Sequence, residues 1–265
     1  MSFYTSLSGL RNAQTDLGVI AHNIANAETV GFKKSDTRFA DLVAGGASSD
    51  PRMTRGIGAA VAAIAQDFGL GAIEQTGGAT DLAIAGEGFF ALRDAATGRL
   101  SFTRNGALSL GEDGHVHDGA GNRLQMFDAG SGGALTDARV AVINAAGAEL
   151  AGIAIGKDGM LSATYADGTI ATAGTIALAT FTTPAGLRQI GGGKWEATGL
   201  SGVPQLRAPG EGRAGDLLAG ALERSNVDLA EEMVGLIAAQ RNFQANAKAI
   251  DAASQISQTI MNLRT

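Results

Sequence analysis

"SNVDLAEEMVGLIAAQRNFQANAKAIDAASQISQTIMNLRT", residues 225–265, decides the fold. The stretch holds no Pro and a single Gly, and Leu229, Leu236, Phe243 and Ile250 recur at intervals of seven. Met233 and Ala247 lie on a second row, which Ile256, Ile260 and Leu263 continue with a small drift in phase. That spacing predicts one long helix with an apolar seam. Ser225 or Asn226 is placed to cap its start. Asp228, Glu231 and Glu232 then face the positive end of the helix dipole, and Arg264 sits near the negative end.

Such a seam needs something to cover it, and the other end of the chain offers a match. Phe3, Leu10, Leu17 and Ile24 also recur at sevens, with Leu7 and Ala21 on the interleaved row and only Gln14 polar between them. In "DLGVIAHNIANAETVGFKK" (residues 16–34) the stripe breaks into Asn, Thr and Gly. Asn23, Asn26 and Thr29 compete for backbone hydrogen bonds, and Gly31 admits positive φ, so this helix is expected to stop between about Ala25 and Val30. Two terminal seams gain most by meeting each other. A lone pair of helices cannot hide stripes of this length on every side, so the leftover apolar surface favours packing between subunits.

Composition bounds the rest. The chain has 265 residues, 45% apolar but only 5% aromatic, with 39 Gly against 4 Pro. Frequent Gly between short apolar runs predicts tight turns linking strands. A net charge of −6 with no basic block argues against a nucleic-acid partner. Cysteine is absent, which removes disulfides, thiolate metal sites and a cysteine nucleophile. The N-terminal stretch lacks a basic region followed by an apolar core, as a cleavable secretory signal requires, and no apolar run reaches the length of a membrane span.

The interior changes character along its length. "GFKKSDTRFADLVAGGASSDPRMTRGIG" is expected to be a connecting loop, with a short amphipathic part around Phe39–Leu42. From about Ala59 short apolar runs alternate with Gly or Asp, including "DLAIAGEGFFAL", "LSFTRNGALSL" and "TIALATF". Leu82/Ile84 and Leu108/Leu110 alternate, and "RNG", "EDG" and "ADG" are hairpin signals. The predicted fold class is α+β, with terminal helices paired as a coiled coil around a discontinuous, mainly-β central domain. The expected divisions are residues 1–30 (first helix), 31–58 (connecting segment), 59–224 (β domain) and 225–265 (last helix).

Chemistry is sparse in this sequence. His115 and His117 share one face of a short strand near Asp113 and Asp118, a thin basis for zinc since the same residues suit a hairpin turn. "GEGFF" (86–90) lacks the third glycine of a nucleotide fingerprint and leads into a strand. Asp81 and Glu87 stand at turns, and His22 has no nucleophile to serve. No catalytic, metal or cofactor site is expected. A β-rich enzyme or carbohydrate binder flanked by helices is the contrasting class, but one Trp and two Tyr leave little for stacking sugars.

Three blocks carry a resemblance to a known family. "SLSGLRNAQTDLGVIAHNIANAETVGFKKSDTRFADL" resembles the opening signature of the flagellar rod and hook family, whose "NNIAN…T.GFK" motif is matched by His22–Ala27, Thr29 and Gly31–Lys33, including Asn23, Asn26 and Phe32. "TDLAIAGEGFFAL" with "FTRNGALSL" is similar to its internal block. "GALERSNVDLAEEMVGLIAAQRNFQANAKAI" resembles its closing motif through Ser225, Asn226, Val227, Asp228, Gln240 and Arg241. Together the blocks span about half the chain in family order.

The resemblance implies a structural, non-enzymatic subunit of the bacterial flagellum that polymerises with itself. It implies export by the flagellar type III apparatus without a cleaved signal, and neighbours among rod proteins, hook–filament junction proteins and the hook cap. It further implies that the paired helices line a channel while the β domain forms the wall. No membrane insertion and no cofactor are implied. Within the family, "MSFYTSLSGL" and "AQDFGLGAIEQTGG", together with "SNVDLAEEMVGLIAAQRNFQANAKAI", look most like hook members, and the connection from Phe39 to Gly58 is short for a distal rod member, whereas the length is that of rod members.

Overall fold

The computed structural model describes residues 2–44, 55–128 and 133–262. The expected seam residue Leu263 and the expected dipole partner Arg264 lie outside them. The chain forms two compact units, one of residues 1–27, 34–67 and 227–265, the other of residues 28–33 and 68–226.

The first unit contains both long helices, α1 (Ser2–Ala25) and α2 (Leu229–Asn262). α1 ends where the asparagines begin. The Asn26 side-chain amide donates to the His22 carbonyl at 2.9 Å, beside the Asn26 backbone N–H that reaches the same oxygen at 3.2 Å. α2 is capped by Asp228, where either Ser225 or Asn226 was expected. Asp228 Oδ1 accepts from the Ala230 and Glu231 N–H groups at 2.8 and 3.2 Å, leaving Ser225 and Asn226 upstream of the helix.

The stretch expected to be a connecting loop is instead ordered as strand at both of its described ends. β1 (Ser35–Ala44) pairs antiparallel with β2 (Arg55–Gln66), with register shifts at Arg38/Phe39 and Leu42/Val43. β2 takes in Ala59–Gln66, residues read from sequence as the start of the β domain. The hairpin meets α1, where the Ala59 N–H donates to Ser8 Oγ at 3.4 Å.

The second unit is antiparallel β throughout its named strands. Its central strand, Phe89–Arg93, pairs with Leu100–Thr103, Arg123–Asp128 and Leu178–Thr180. Successive side chains point to opposite faces. Phe90 and Leu92 therefore enter one apolar cluster with Leu82, Ile84, Leu124 and Ile176, while Phe89 and Ala91 enter another with Phe102, Phe181 and Trp195. A strand buried on both faces accounts for the unbroken apolar run "FFAL". Early and late segments pair with each other: Leu82–Ala85 with Asp216–Ala219, and Ile73–Gln75 with Ala221–Glu223. The "EDG" and "ADG" turns close hairpins, with Gly111 N–H donating to His115 O and Tyr165 N–H to Thr169 O. "RNG" does not; the chain leaves that strand at Arg104, whose side chain turns into the interior.

Candidate assembly surface and ion clasp

α1 and α2 pack antiparallel in step. A Cβ added at Gly9 would lie 2.6 Å from Asn246 Oδ1, and one at Gly235 would lie 3.5 Å from Ile20 Cδ1. The Asn23 amide donates to Glu232 Oε1 at 3.2 Å. Eleven residues forward on α1 thus match eleven back on α2, and the next three match three. Gly9, Ala13, Gly235 and Ala239 make this approach possible by their lack of bulk, and Ile20, Asn23 and Glu232 are buried beside them.

The residues expected on the seams flank this line. Leu7, Leu10, Leu17, Ile24, Leu236, Phe243 and Ile250 are half-buried, whereas Phe3, Leu229, Met233, Ile256 and Ile260 are exposed. Gln240 and Arg241 are also exposed. Asn23 anchors the start of the hairpin. Its amide donates to the Ser35 carbonyl at 2.9 Å, and its oxygen accepts the Ser35 N–H at 3.0 Å. One side chain thereby replaces a strand neighbour for the first residue of β1. Burial raises the pKa of the adjacent Glu232 carboxyl, against the lowering influence of Asn23 and Lys34.

In the β unit, Lys33, Arg104 and Glu223, none of them given a role from the sequence, form a buried ion cluster. Lys33 and Glu223 are fully buried and Arg104 is 3% exposed. Lys33 Nζ pairs with Glu223 Oε1 and donates to the Gly69 carbonyl at 2.6 Å. Arg104 Nη1 reaches Glu223 Oε2 at 3.3 Å, Nη2 donates to the Gly86 carbonyl at 2.7 Å, and the guanidinium lies over the Phe89 ring. The Gly71 N–H adds a third donor to Glu223 at 2.9 Å. Desolvation lowers the Arg104 pKa, and Glu223 opposes that shift.

Backbone bonds extend the cluster into a clasp. The Gly31 N–H donates to the Glu223 carbonyl at 2.8 Å, with Gly31 at φ 67°, and the Asn226 N–H donates to the Phe32 carbonyl at 3.4 Å. Phe32 is 4% exposed and Ser225 9%, while Val227 is half-buried. The clasp therefore ties together residues 31–33, 69–71 and 223–226, three stretches of this unit that lie next to its boundaries along the chain.

The histidines are engaged separately. His115 Nδ1 meets Asp113 Oδ2, and His117 Nδ1 meets the Asp118 carbonyl and Ser109 Oγ. Among the described residues no group of three or more His, Asp or Glu side chains is arranged to hold a metal ion.

The families and relatives that a chain of this build matches are structural flagellar proteins and not enzymes. Three family models match the chain: a flagellar basal-body rod model over residues 3–33, the D1 domain of the flagellar hook protein FlgE/F/G over 83–177, and the C-terminal model of the basal-body rod FlgEFG proteins over 218–263. The flagellar basal-body rod protein FlgG of Bacillus subtilis is 35% identical over 99% of this chain and 98% of its own. The flagellar hook protein FlgE of Escherichia coli is 27% identical, in a 410-residue alignment spanning all of both chains. The rod protein FlgG of Borreliella burgdorferi is 29% identical over 99% of this chain and 98% of its own. The chain belongs to the flagellar hook and basal-body rod family.

Proposed function

We propose that the protein is the hook subunit of a flagellum, polymerising into the tube that joins rod to filament and transmits torque. One observation carries the polymer: on the isolated chain Met233, Val234, Ile237, Ile256, Ile260 and Met261 are each more than half exposed along α2. A soluble helix does not keep six large apolar side chains in water unless another surface covers them. In this reading the helices of many copies pack as coiled coils around a channel, and the β unit forms the wall. Export uses the flagellar type III apparatus, and neighbours include the rod, the hook–filament junction proteins and the hook cap.

The hook reading rests on the opening "MSFYTSLSGL" and on "AQDFGLGAIEQTGG". A distal rod subunit is the second reading, favoured by rod relatives that match this chain end to end at nearly its own length. Deleting the gene and imaging isolated basal bodies separates them. Loss of the hook with the rod intact supports the first reading, loss of the distal rod establishes the second, and a swimming deletion strain overturns both.

A further inference from the structure

The step-for-step register of the helix pair places the first residue of α1, Ser2, opposite position 253 of α2. The last nine or so residues of α2, 254–262, therefore run past α1 by roughly 14 Å at 1.5 Å per residue. Along the paired length the line nearest α1 is small or polar, through Glu232, Gly235, Ala239 and Asn246, with half-buried Leu236, Phe243 and Ile250 beside it. Two heptads beyond Asn246 is Ile260, and three beyond Gly235 is Ile256. A straight helix drifts about 20° per heptad, so Ile260 stays on the side of α2 that α1 would occupy if it continued, while Ile256 has moved to the flank of that side. Ile256 is 61% exposed and Ile260 59%, with Met261 beside them at 64%.

A second apolar patch lies at the opposite end of the same helix. Met233, Val234 and Ile237 are 54%, 69% and 51% exposed. At 3.6 residues per turn they point away from the Glu232–Gly235–Ala239 line. Further along that outward face the residues become polar, with Arg241, Gln244 and Lys248 exposed.

We propose that these two patches are partners in different copies: the overhang of α2 in one subunit packs on the outward face of the first turns of α2 in the next. The overhang stripe prolongs the contact that α1 makes within the chain, so a helix seated there continues an existing seam. Each patch offers three large apolar side chains at opposite ends of one helix, and the overhang patch is centred, through Ile260 and Met261, on the side away from Met233–Ile237. Joining unlike surfaces in this way does not close on itself by a two-fold axis, and it produces an open polar assembly. With parallel helices, matching the overhang to Met233–Ile237 offsets successive copies by about 35 Å along the helix direction. This inference rests on the tube reading and adds which surfaces meet.

The absence of cysteine makes the test direct. Val234→Cys and Ile260→Cys are introduced singly and together into the full chain, polymer is assembled in sulfate salt, which strengthens apolar burial, and the product is treated with a flexible bismaleimide. The double variant should give a ladder of covalent oligomers, the mixed single variants should give dimers only, and each single variant alone should give none. Polymer without cross-links, or dimers from Ile260→Cys alone, would overturn the pairing. Ile256→Asp/Ile260→Asp supplies a second arm: monomer melting should be unchanged and polymer lost. Polymer at the wild-type level from that variant would defeat the docking while leaving the tube intact. Failure of the wild-type chain to polymerise would remove the tube reading and this inference with it.

Discussion

Glu223→Gln tests the clasp most directly, because one carboxylate answers two buried cations. Gln keeps the size and can still accept a hydrogen bond from the Gly71 N–H, so the change is mainly one of charge. Leaving a buried ion without its partner costs about 3–5 kcal/mol. A second route to the magnitude starts from Lys33, which is fully buried. Releasing a proton at pH 7 from an ordinary lysine costs ~4.6 kcal/mol, which limits the penalty on that side. Arg104 has no comparable escape, since guanidinium stays charged, although its bonds to the Ile84 and Gly86 carbonyls remain. Both routes lead to a destabilisation of about 4 kcal/mol. For a unit of about 165 residues, each kcal/mol moves the melting temperature by ~2–4 °C, so a fall of roughly 8–16 °C is expected. Trp195, the only tryptophan in the chain and 1% exposed in the same unit, reports that transition by its fluorescence. A fall below about 3 °C would refute the reasoning. In a double-mutant cycle, Lys33→Met should cost at least ~1 kcal/mol less in the Glu223→Gln background than in the wild type.

The helix pair yields further expectations. Burial raises the Glu232 pKa, so its contribution to stability is present below the ordinary carboxyl value and is lost as pH rises through the folded-state value. Glu232→Gln should therefore raise the melting temperature of the helices near neutrality and flatten its pH dependence by circular dichroism; a lower neutral melting temperature would count against this. Gly9→Leu forces side-chain atoms toward Asn246 and should cost ~1–3 kcal/mol by overpacking, with partial recovery when Asn246→Ala is added. Leu17→Asp or Leu236→Asp puts a carboxylate on a half-buried flank of the seam, where desolvation costs several kcal/mol. Sedimentation should show loss of polymer while the Trp195 transition is unchanged, and normal assembly of both variants would rule out the seam. His115→Ala with His117→Ala should leave swimming unaffected, because each ring has its own separate partners; lost motility with normal assembly would reopen the metal question.

Both helices and the β centre were legible because each carries a strong period: sevens in the helices, apolar runs cut by Gly and Asp in the strands. The β1–β2 hairpin was not. Beyond Ser35 and Thr37, β1 is exposed on both faces, so no alternation of apolar and polar residues marks it as a strand. The line of closest helix contact was displaced for a related reason. Hydrophobic periodicity draws attention to Leu10 and Leu17, whereas close packing runs through Ala13, Gly9, Gly235 and Ala239, whose value lies in the bulk they lack. The clasp left almost no local trace. Lys33 beside Lys34 reads as a solvated basic pair, Arg104 as part of a turn, and Glu223 as an ordinary strand residue. What defines them is mutual contact across sequence separations of 119 and 190 residues, which a single sequence does not display. Asn23 and Gly31 stood out as helix-stop signals and through the family motif, and their further contacts became clear from the hydrogen bonds.

The clasp also bears on how such a chain can change size. Lys33 and Glu223 close a loop of 190 residues, and the entropy of closing a loop grows only with the logarithm of its length. Hook relatives need 410 alignment positions to accommodate these 265 residues. Inserting roughly 145 residues between the clasp partners would add only about 0.5 kcal/mol to the closure cost. The β unit is in this sense a cargo bay with its door fastened at one point. Modules inserted between residues 33 and 223 could come and go with the clasp, and the closure it provides, left nearly as they are.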